Sequence, residues 1–148
     1  GEPLSKKIEE GNCSMREVKQ WTRELIQALQ HLHSNGVILR NLQPGKICID
    51  SNNKLTIIGF GKARVIDRSS QITKESGTEG CMAFEQAVDW VGDGSTQTYD
   101  ERADIWSVAA ILCELISGKP LFCGPDVKNS LKRQIELCGA IEDTVLIK

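Results

Sequence analysis

A regular recurrence of apolar residues near the start of the chain predicts a long amphipathic helix. Apolar residues recur there about every 3.6 positions, the spacing of one buried helical face. They are Val18, Trp21, Leu25, Ala28, Leu29 and Leu32. Ser14 and Glu17 have the spacing of a capping box, in which each side chain accepts a hydrogen bond from a backbone N–H group. Gly36 suits the left-handed residue that follows a helix. The pattern predicts a helix from 14 to 34, with a shorter helical stretch around Leu4 to Glu10.

Two short apolar runs after this helix predict a β-hairpin. The runs are Ile47–Asp50 and Leu55–Ile58, and the polar turn 51–54 joins them. From Lys62 to about Thr98 the chain loses periodicity and is rich in Gly, Ser, Thr and charge. Such a composition indicates a long loop.

Helical patterns resume in the last third of the chain. Asp100 to Gly118 is apolar over most of its circumference, so we expect this helix to lie in the core. A last amphipathic helix is predicted from Asp126 to Cys138. Its apolar residues are Leu131, Ile135 and Leu137.

The length and the charge of the chain argue against several classes of protein. The 148 residues amount to one domain, with 40% hydrophobic and 26% charged residues, a formal net charge of -2 and a pI near 5.7. Nothing in this balance suggests a nucleic-acid partner or an anionic membrane surface. No apolar run reaches the roughly 20 residues that span a bilayer, and no signal peptide is recognisable. Because the first residue is Gly1 rather than Met, we expect a piece of a longer product.

The cysteines and histidines do not form a metal-binding pattern. The six cysteines lack CxxC spacing and a nearby His, so no zinc site and no other metal site is predicted. Their even number is compatible with disulfides, but Cys48 and Cys113 lie in apolar runs where a reduced thiol acts as a small hydrophobe. We therefore favour the cytosol or nucleus. His31 and His33 are expected to be structural or solvent-facing.

A series of motifs along the chain resembles the C-terminal lobe of a protein kinase. Residues 39–42 (Leu-Arg-Asn-Leu) stand at H-R-D-L, Lys46 at the Asn that follows, and residues 59–61 (Gly-Phe-Gly) at D-F-G. Residues 77–85 and the Asp-Ile-Trp-Ser of 104–107 follow in the family's order. The segments HLHSNGVILRNLQP and ERADIWSVAAILCELISGKPLFCG resemble mitogen-activated protein kinases, including their stress-activated branch. The resemblance implies a mainly α fold with short β-hairpins, a kinase-like C-terminal lobe over residues 1–148, with the N-terminal lobe absent from the chain.

The family's catalytic groups are replaced at each matching position. Kinases use ATP with Mg²⁺ ions, a carboxylate that accepts the substrate proton, and a nearby Lys. The carboxylate position is Asn41, an amide that takes no proton near neutral pH, and the Lys position is Gln43. The metal-ligand positions are Lys46, whose ammonium repels Mg²⁺, and Gly59, which has no side-chain oxygen. The resemblance therefore implies a pseudokinase with no intact catalytic residue and no ATP or Mg²⁺ cofactor.

The positions that match the family are architectural. The resemblance implies that Asp104 and Trp106 anchor the loop containing Asn41, with Asp104 accepting hydrogen bonds from backbone N–H groups of the loop. Arg40 either pairs with a phosphorylated residue, as in the family, or is a surface cation. Phe60 is expected to pack in the core.

The activation segment also departs from the family. Counting back from Thr78, the Thr-x-Tyr phosphorylation triplet falls on residues 73–75, where Thr73 is kept and the tyrosine is Glu75. Phe84 replaces the proline of A-P-E, and the resemblance places the ion-pair partner of Glu85 beyond Lys148.

Three interpretations remain. The chain is a binding or scaffolding module in phosphorylation signalling, a truncated duplicate without function, or a fragment of an active serine/threonine kinase that depends on missing segments. For the first, the resemblance implies protein partners in a groove near residues 7–34, beside the long helix and the hairpin turn, where related kinases dock linear peptides.

Overall fold

The computed structural model describes residues 1–65, 77–91 and 100–145, and most of its ordered residues are helical. The helices are α1 (Leu4–Glu10), α2 (Met15–Ser34), α3 (Phe84–Val91), α4 (Arg102–Ser117) and α5 (Val127–Val145). The strands are β1 (Glu2–Pro3), β2 (Val37–Ile38), β3 (Ile47–Ile49), β4 (Leu55–Ile57) and β5 (Arg64–Val65). Short 3-10 turns lie at Pro44–Lys46 and Phe60–Lys62. The predicted fold class, mainly α with short β-hairpins, is confirmed.

The predicted capping box starts α2. The backbone N–H of Glu17 donates to Ser14 Oγ at 3.3 Å, and the N–H of Ser14 donates to Glu17 Oε2 at 2.9 Å. After the helix, Gly36 has a left-handed φ of 71°. The buried residues of α2 are Val18, Trp21, Leu25 and Leu29, all from the predicted face.

Helix α4 packs against α2 and carries much of the main core. Ala110, Ile111 and Leu115 lie in one apolar cluster with α1, α2 and β3. The other side of α4 is open, since Ile105 is 48% and Ile116 is 59% exposed. The expectation that this helix lies in the core is right except along the stripe that contains these two residues, since Asp104 and Ser107 are also buried.

The hairpin is present and is held against α2. β3 pairs antiparallel with β1 and β4, and β2 pairs with β5. The carbonyl of Asn53, in the hairpin turn, accepts hydrogen bonds from Gln20 Nε2 at 3.0 Å and Trp21 Nε1 at 3.3 Å. Glu24 Oε2 accepts from the N–H of Leu55 at 2.8 Å. These bonds fix the turn on one side of α2.

Helix α3 lies inside the segment predicted as a loop, so that prediction is wrong over residues 84–91. Ala87 of α3 packs with Met82 and with Leu131 of α5 in a second cluster. A helix of 8 residues is short enough for Gly- and Ser-rich flanks to mask its period. Helix α5 packs against α3 and buries Gln134 completely. Leu137 was predicted to lie on the buried face of α5, but it is 49% exposed.

Two further features concern the cysteines and the helix lengths. No disulfide joins any of the six cysteines in the structure. Within the described ranges, no helix combines the length and apolar character that a membrane crossing requires.

Candidate functional site

The loop between β2 and β3 is anchored by Asp104 of α4, as predicted. The backbone N–H groups of Leu39 and Arg40 donate to Asp104 Oδ2 and Oδ1 at 2.9 and 2.8 Å. Asp104 is fully buried, and Arg40 has a left-handed φ of 65°, which non-Gly residues seldom adopt. A buried carboxylate thus stabilises a strained turn of the backbone immediately before Asn41.

His33, at the end of α2, is a third partner of this carboxylate. Its Nε2 lies 2.9 Å from Asp104 Oδ2, although 71 residues separate the two positions. His33 was predicted to be either structural or solvent-facing, and this hydrogen bond shows that its role is structural. The sequence offered no direct sign of the pairing, because contacts over such separations depend on the packing of α2 against α4.

Arg40 is buried and cross-links the loop, so the interpretation as a surface cation is wrong. Its side chain is 5% exposed, and Nε donates to the carbonyl of Lys62 at 2.7 Å. The carbonyl of Arg40 accepts from Gln86 Nε2 at 3.2 Å, and Gln86 Oε1 accepts from the N–H of Ala83 at 3.0 Å. Gln86, which sequence analysis did not single out, therefore connects the loop with the start of α3.

Asn41 makes a hydrogen bond with Thr78. The Thr78 hydroxyl donates to Asn41 Oδ1 at 2.6 Å, across 37 residues of sequence. The structure thus brings together one of the replaced catalytic positions and one predicted activation-segment residue. Thr73 and Glu75, the other predicted residues of that segment, lie outside the described residues.

Lys46 and Gly59, the two metal-ligand positions, are in contact. A Cβ atom built on Gly59 would lie 3.1 Å from Lys46 Cδ and 3.2 Å from Cγ, which is tighter than most real contacts. Gly59 also has a left-handed φ of 82°. Burial, and then the nearby charge of Lys62, lower the pKa of the Lys46 ammonium. The stem of Lys46 thus crowds the position of a Cβ at residue 59 and would have to shift slightly to admit a side chain there.

Gln43 holds the start of the same turn. Its side chain is half-buried, and its carbonyl accepts from the N–H of Lys46 at 2.9 Å across the Pro44–Lys46 turn. Position 43 therefore contributes to the local backbone geometry, and its side-chain amide brings no charge to the loop.

Phe60 is exposed, so the prediction that it packs in the core is wrong. Its side chain is 49% exposed, and Gly61 and Lys62 beside it are exposed as well. The left-handed conformation of Gly59 leads the chain into the 3-10 turn Phe60–Lys62 at the surface. A single aromatic residue does not bury itself unless the neighbouring elements provide a cover.

Trp106 does not share the role of Asp104. Its ring stacks on Phe122 with centroids 6.3 Å apart, and it packs against Ala83 and Ala103. On the next residue, the Ser107 hydroxyl donates to the carbonyl of Cys81 at 2.8 Å. Trp106 and Ser107 therefore hold the segment before α3, whereas Asp104 alone of the predicted pair holds the loop.

Glu85 lies in the first turn of α3 and is half-buried. Among the residues that the structure describes, it forms no ion pair. The expectation that its partner lies beyond Lys148 stays a prediction.

The residues present do not suit Mg²⁺. Magnesium ions prefer oxygen ligands in octahedral geometry, whereas position 59 has no side chain and position 46 carries an ammonium group. Within the described part of the chain, no group of three or more His, Cys, Asp or Glu side chains could hold a metal ion. No reaction step through a metal-bound nucleotide follows from this site.

Comparisons with known proteins agree with the order of these elements. The Protein kinase domain family model matches residues 1–146. Mitogen-activated protein kinase hog1 of Aspergillus glaucus is 37% identical over 129 residues, which cover 87% of this chain and 33% of that protein. Mitogen-activated protein kinase HOG1 of Scheffersomyces stipitis and that of Candida albicans are each 38% identical over 123 residues, covering 83% of this chain and 30% of each relative.

The chain spans about a third of the length of these relatives. Its helices, its short strand pairs and the loop held by Asp104 have the order of a kinase-like C-terminal lobe. With a family match over 1–146, the chain belongs to the protein kinase domain family and is similar to the mitogen-activated protein kinases.

Proposed function

We propose that this chain is a catalytically inactive, mitogen-activated-protein-kinase-like lobe that serves as a binding or scaffolding module in phosphorylation signalling. The observation that carries the proposal is the contact between Lys46 and Gly59. At this point a Cβ at one metal-ligand position would lie 3.1 Å from the side-chain stem of the other, so the stem must shift by a few tenths of an ångström to admit a side chain.

Phosphoryl transfer depends on positioning and on neutralising the phosphate charge, with little covalent chemistry by the protein. Asn41 replaces the proton acceptor and Gln43 the nearby cation, while positions 46 and 59 provide no metal-ligating oxygen. Losing about 4 kcal/mol of transition-state stabilisation slows a reaction roughly a thousandfold. Four replacements in one site are therefore sufficient reason to expect no activity.

The architecture around the site supports a retained role in binding. Asp104 accepts from two loop N–H groups, and Arg40 and Gln86 cross-link the loop to its neighbours. A non-functional duplicate would be free to lose these buried polar contacts, each of which costs stability when only one partner remains. On this proposal the partners are proteins, and no ATP or Mg²⁺ is needed. Six cysteines without a disulfide among them support a reducing compartment, the cytosol or the nucleus.

The proposal is tested with Mn²⁺, a paramagnetic substitute for Mg²⁺ that broadens the NMR signals of nearby amides even when binding is weak. In the full 148-residue chain, millimolar Mn²⁺ should leave the amides of residues 41–46 and 57–61 no more broadened than surface amides elsewhere. The matched variant Lys46→Asn with Gly59→Asp should show selective broadening there. Selective broadening in the unmodified chain would overturn the proposal.

A second measurement addresses the interpretation as a non-functional duplicate. A cooperative thermal unfolding transition of the purified chain, followed by circular dichroism, is expected. A chain without such a transition would contradict a folded binding module.

A further inference from the structure

The connection between α2 and β2 contains the one Asn-Gly pair of the sequence, Asn35 and Gly36. Asn35 is exposed and caps the C-terminus of α2, and Gly36 follows it with a left-handed φ of 71°. Because glycine has no Cβ, its backbone nitrogen is open to reaction with the side chain that precedes it. An asparagine in this place is therefore a candidate for loss of its side-chain amide.

The reaction is an intramolecular acyl transfer at the Asn35 side chain. The backbone nitrogen of Gly36 loses its proton to hydroxide and bonds to Cγ of Asn35. The bond from Cγ to Nδ2 breaks, and the nitrogen leaves as ammonia after taking a proton from water. Water then opens the resulting succinimide at either carbonyl, which gives aspartate or isoaspartate. No oxidant, reductant or cofactor takes part.

Hydrogen bonds in the last turn of α2 keep the two reacting groups apart. The N–H of Gly36 donates to the carbonyl of His33 at 2.9 Å, and Asn35 Nδ2 donates to the carbonyl of His31 at 2.8 Å. Ring closure needs the Gly36 nitrogen eclipsed with Cβ of Asn35. At the observed Asn35 ψ of 12°, this nitrogen is instead nearly eclipsed with the backbone nitrogen of Asn35. The turn must therefore open before the reaction begins.

His33 connects this turn to the buried anchor of the following loop. Its carbonyl holds the N–H of Gly36, and its side-chain Nε2 lies 2.9 Å from Asp104 Oδ2. On the other side of the turn, Val37 pairs with Val65 of β5. Helix ends open locally at a low cost in free energy unless other contacts hold them. The contact between His33 and Asp104 should therefore limit how often this turn opens.

We propose that Asn35 is a site of spontaneous deamidation whose rate is limited by opening of the last turn of α2, and that the product weakens the contact between His33 and Asp104. Hydrolysis places a carboxylate at a helix C-terminus, where the helix dipole disfavours negative charge. It also removes the donor to the carbonyl of His31. Isoaspartate in addition lengthens the backbone between α2 and β2 by one carbon atom. This inference does not depend on the proposed function.

The test follows deamidation in the full chain by peptide mapping with mass spectrometry during incubation at pH 8. Asn35 should react at least about tenfold more slowly in the native chain than in the same chain unfolded in guanidinium chloride. Asn129 is an internal control, because it lies inside α5, is followed by Ser130, and donates a hydrogen bond to Asp126. It should stay intact in the native chain.

Two variants test the role of His33. His33→Ala should raise the native rate at Asn35 at least about threefold, because the turn then opens more often. Gln27→Ala, an exposed change on the same helix, should leave the rate unchanged. A measurement on the unmodified chain covers the case in which His33→Ala does not fold. Low concentrations of guanidinium chloride should raise the deamidation rate and the hydrogen-exchange rate of the Gly36 amide by the same factor.

The effect of the product is measured by NMR on the separated isoaspartate form. The amide signals of Leu39 and Arg40, which donate to Asp104, should shift relative to the fresh protein. Asn35→Asp reproduces the charge without the extra backbone atom, so its shifts should be smaller.

Four results would overturn the inference. Equal rates in the native and the unfolded chain would show that opening of the turn does not limit the reaction. A native chain that stays intact at Asn35 long after the unfolded chain has reacted completely would remove the site. Equal rates for His33→Ala and Gln27→Ala would remove the role of His33. Unchanged Leu39 and Arg40 signals in the isoaspartate form would remove the effect on the anchor.

Discussion

The stem of Lys46 packs against Gly59, so that a Cβ at position 59 would lie 3.1 Å from Lys46 Cδ. The two positions that hold metal ions in related kinases are therefore in close contact in this protein. A carboxylate restored at position 59 alone would meet both the lysine stem and a left-handed backbone with φ of 82°. Restoring one ligand without changing the other is expected to cost stability and to give no metal site.

Gly59→Ala should lower the free energy of unfolding by about 1–2 kcal/mol, because L-residues are strained in the left-handed region. The close contact with Lys46 should add to this cost. In a Lys46→Ala background the Gly59→Ala change should cost less, since the lysine stem is gone. Urea unfolding of the four proteins of this double-mutant cycle measures the coupling.

Gly61→Ala is the matched control, because a Cβ there meets nothing within 4 Å and its φ is not left-handed. It should change stability little. Additive effects of Gly59→Ala and Lys46→Ala would contradict the contact.

Asp104→Ala should destabilise the lobe by about 3 kcal/mol or more, because two buried backbone N–H groups and His33 would lose their acceptor. Glu101→Ala, an exposed change immediately before the same helix, should shift the unfolding midpoint little. Thermal and urea unfolding give both values. Near-equal effects of the two substitutions would show that Asp104 does not anchor the loop.

Ser14→Ala should cost about 1 kcal/mol, the usual effect of losing a helix N-cap. Hydrogen bonds from the Ser14 hydroxyl and N–H hold the pKa of Glu17 below its ordinary value of 4.5. A carboxyl group whose pKa is lowered by folding stabilises the folded state at pH values above its ordinary pKa. This contribution is lost as the pH falls through the pKa of the folded state. The stability difference between the two proteins should therefore shrink at low pH, as urea unfolding at pH 7 and pH 3.5 would show. A constant difference would argue against the capping box.

Cys81 should be the slowest cysteine to react with iodoacetamide at pH 8. Burial, and then the Glu114 carboxylate, raise the pKa of its thiol to about 12, so the reactive thiolate is scarce in the folded protein. Cys123 is exposed and should react first. Peptide mapping by mass spectrometry measures the order, and urea should abolish the difference. Early labelling of Cys81 under native conditions would contradict its burial.

The same thiol makes stability depend on alkaline pH. A raised folded-state pKa means that the native state binds its proton more tightly than the unfolded chain does. The contribution to stability is complete below the ordinary thiol pKa of 9.0 and is lost as the pH rises toward 12. In the Cys81→Ala variant, the free energy of unfolding should therefore fall less between pH 9 and pH 12 than in the unmodified protein, as urea unfolding would measure. An equal fall in the two proteins would contradict the raised pKa of this thiol.

Local patterns predicted the regular elements well, because they depend on residues close in sequence. The capping box, the buried face of α2 and the hairpin each follow from spacing within a few residues. Helix α3 was missed since it is short and lies among flanks without periodicity. The pattern of α5 did not predict that Gln134 is buried and Leu137 exposed, because the buried face of α5 depends on where α3 packs against it.

The identity of the replaced residues was legible in the sequence alone, since an amide at position 41 and a glycine at position 59 lack carboxylates in any fold. Tertiary packing decided what those positions do now. It placed the Thr78 hydroxyl on Asn41, the Lys46 stem against Gly59, and His33 on Asp104. It also buried Arg40 and left Phe60 exposed, because burial depends on which elements cover a residue and not on its own polarity.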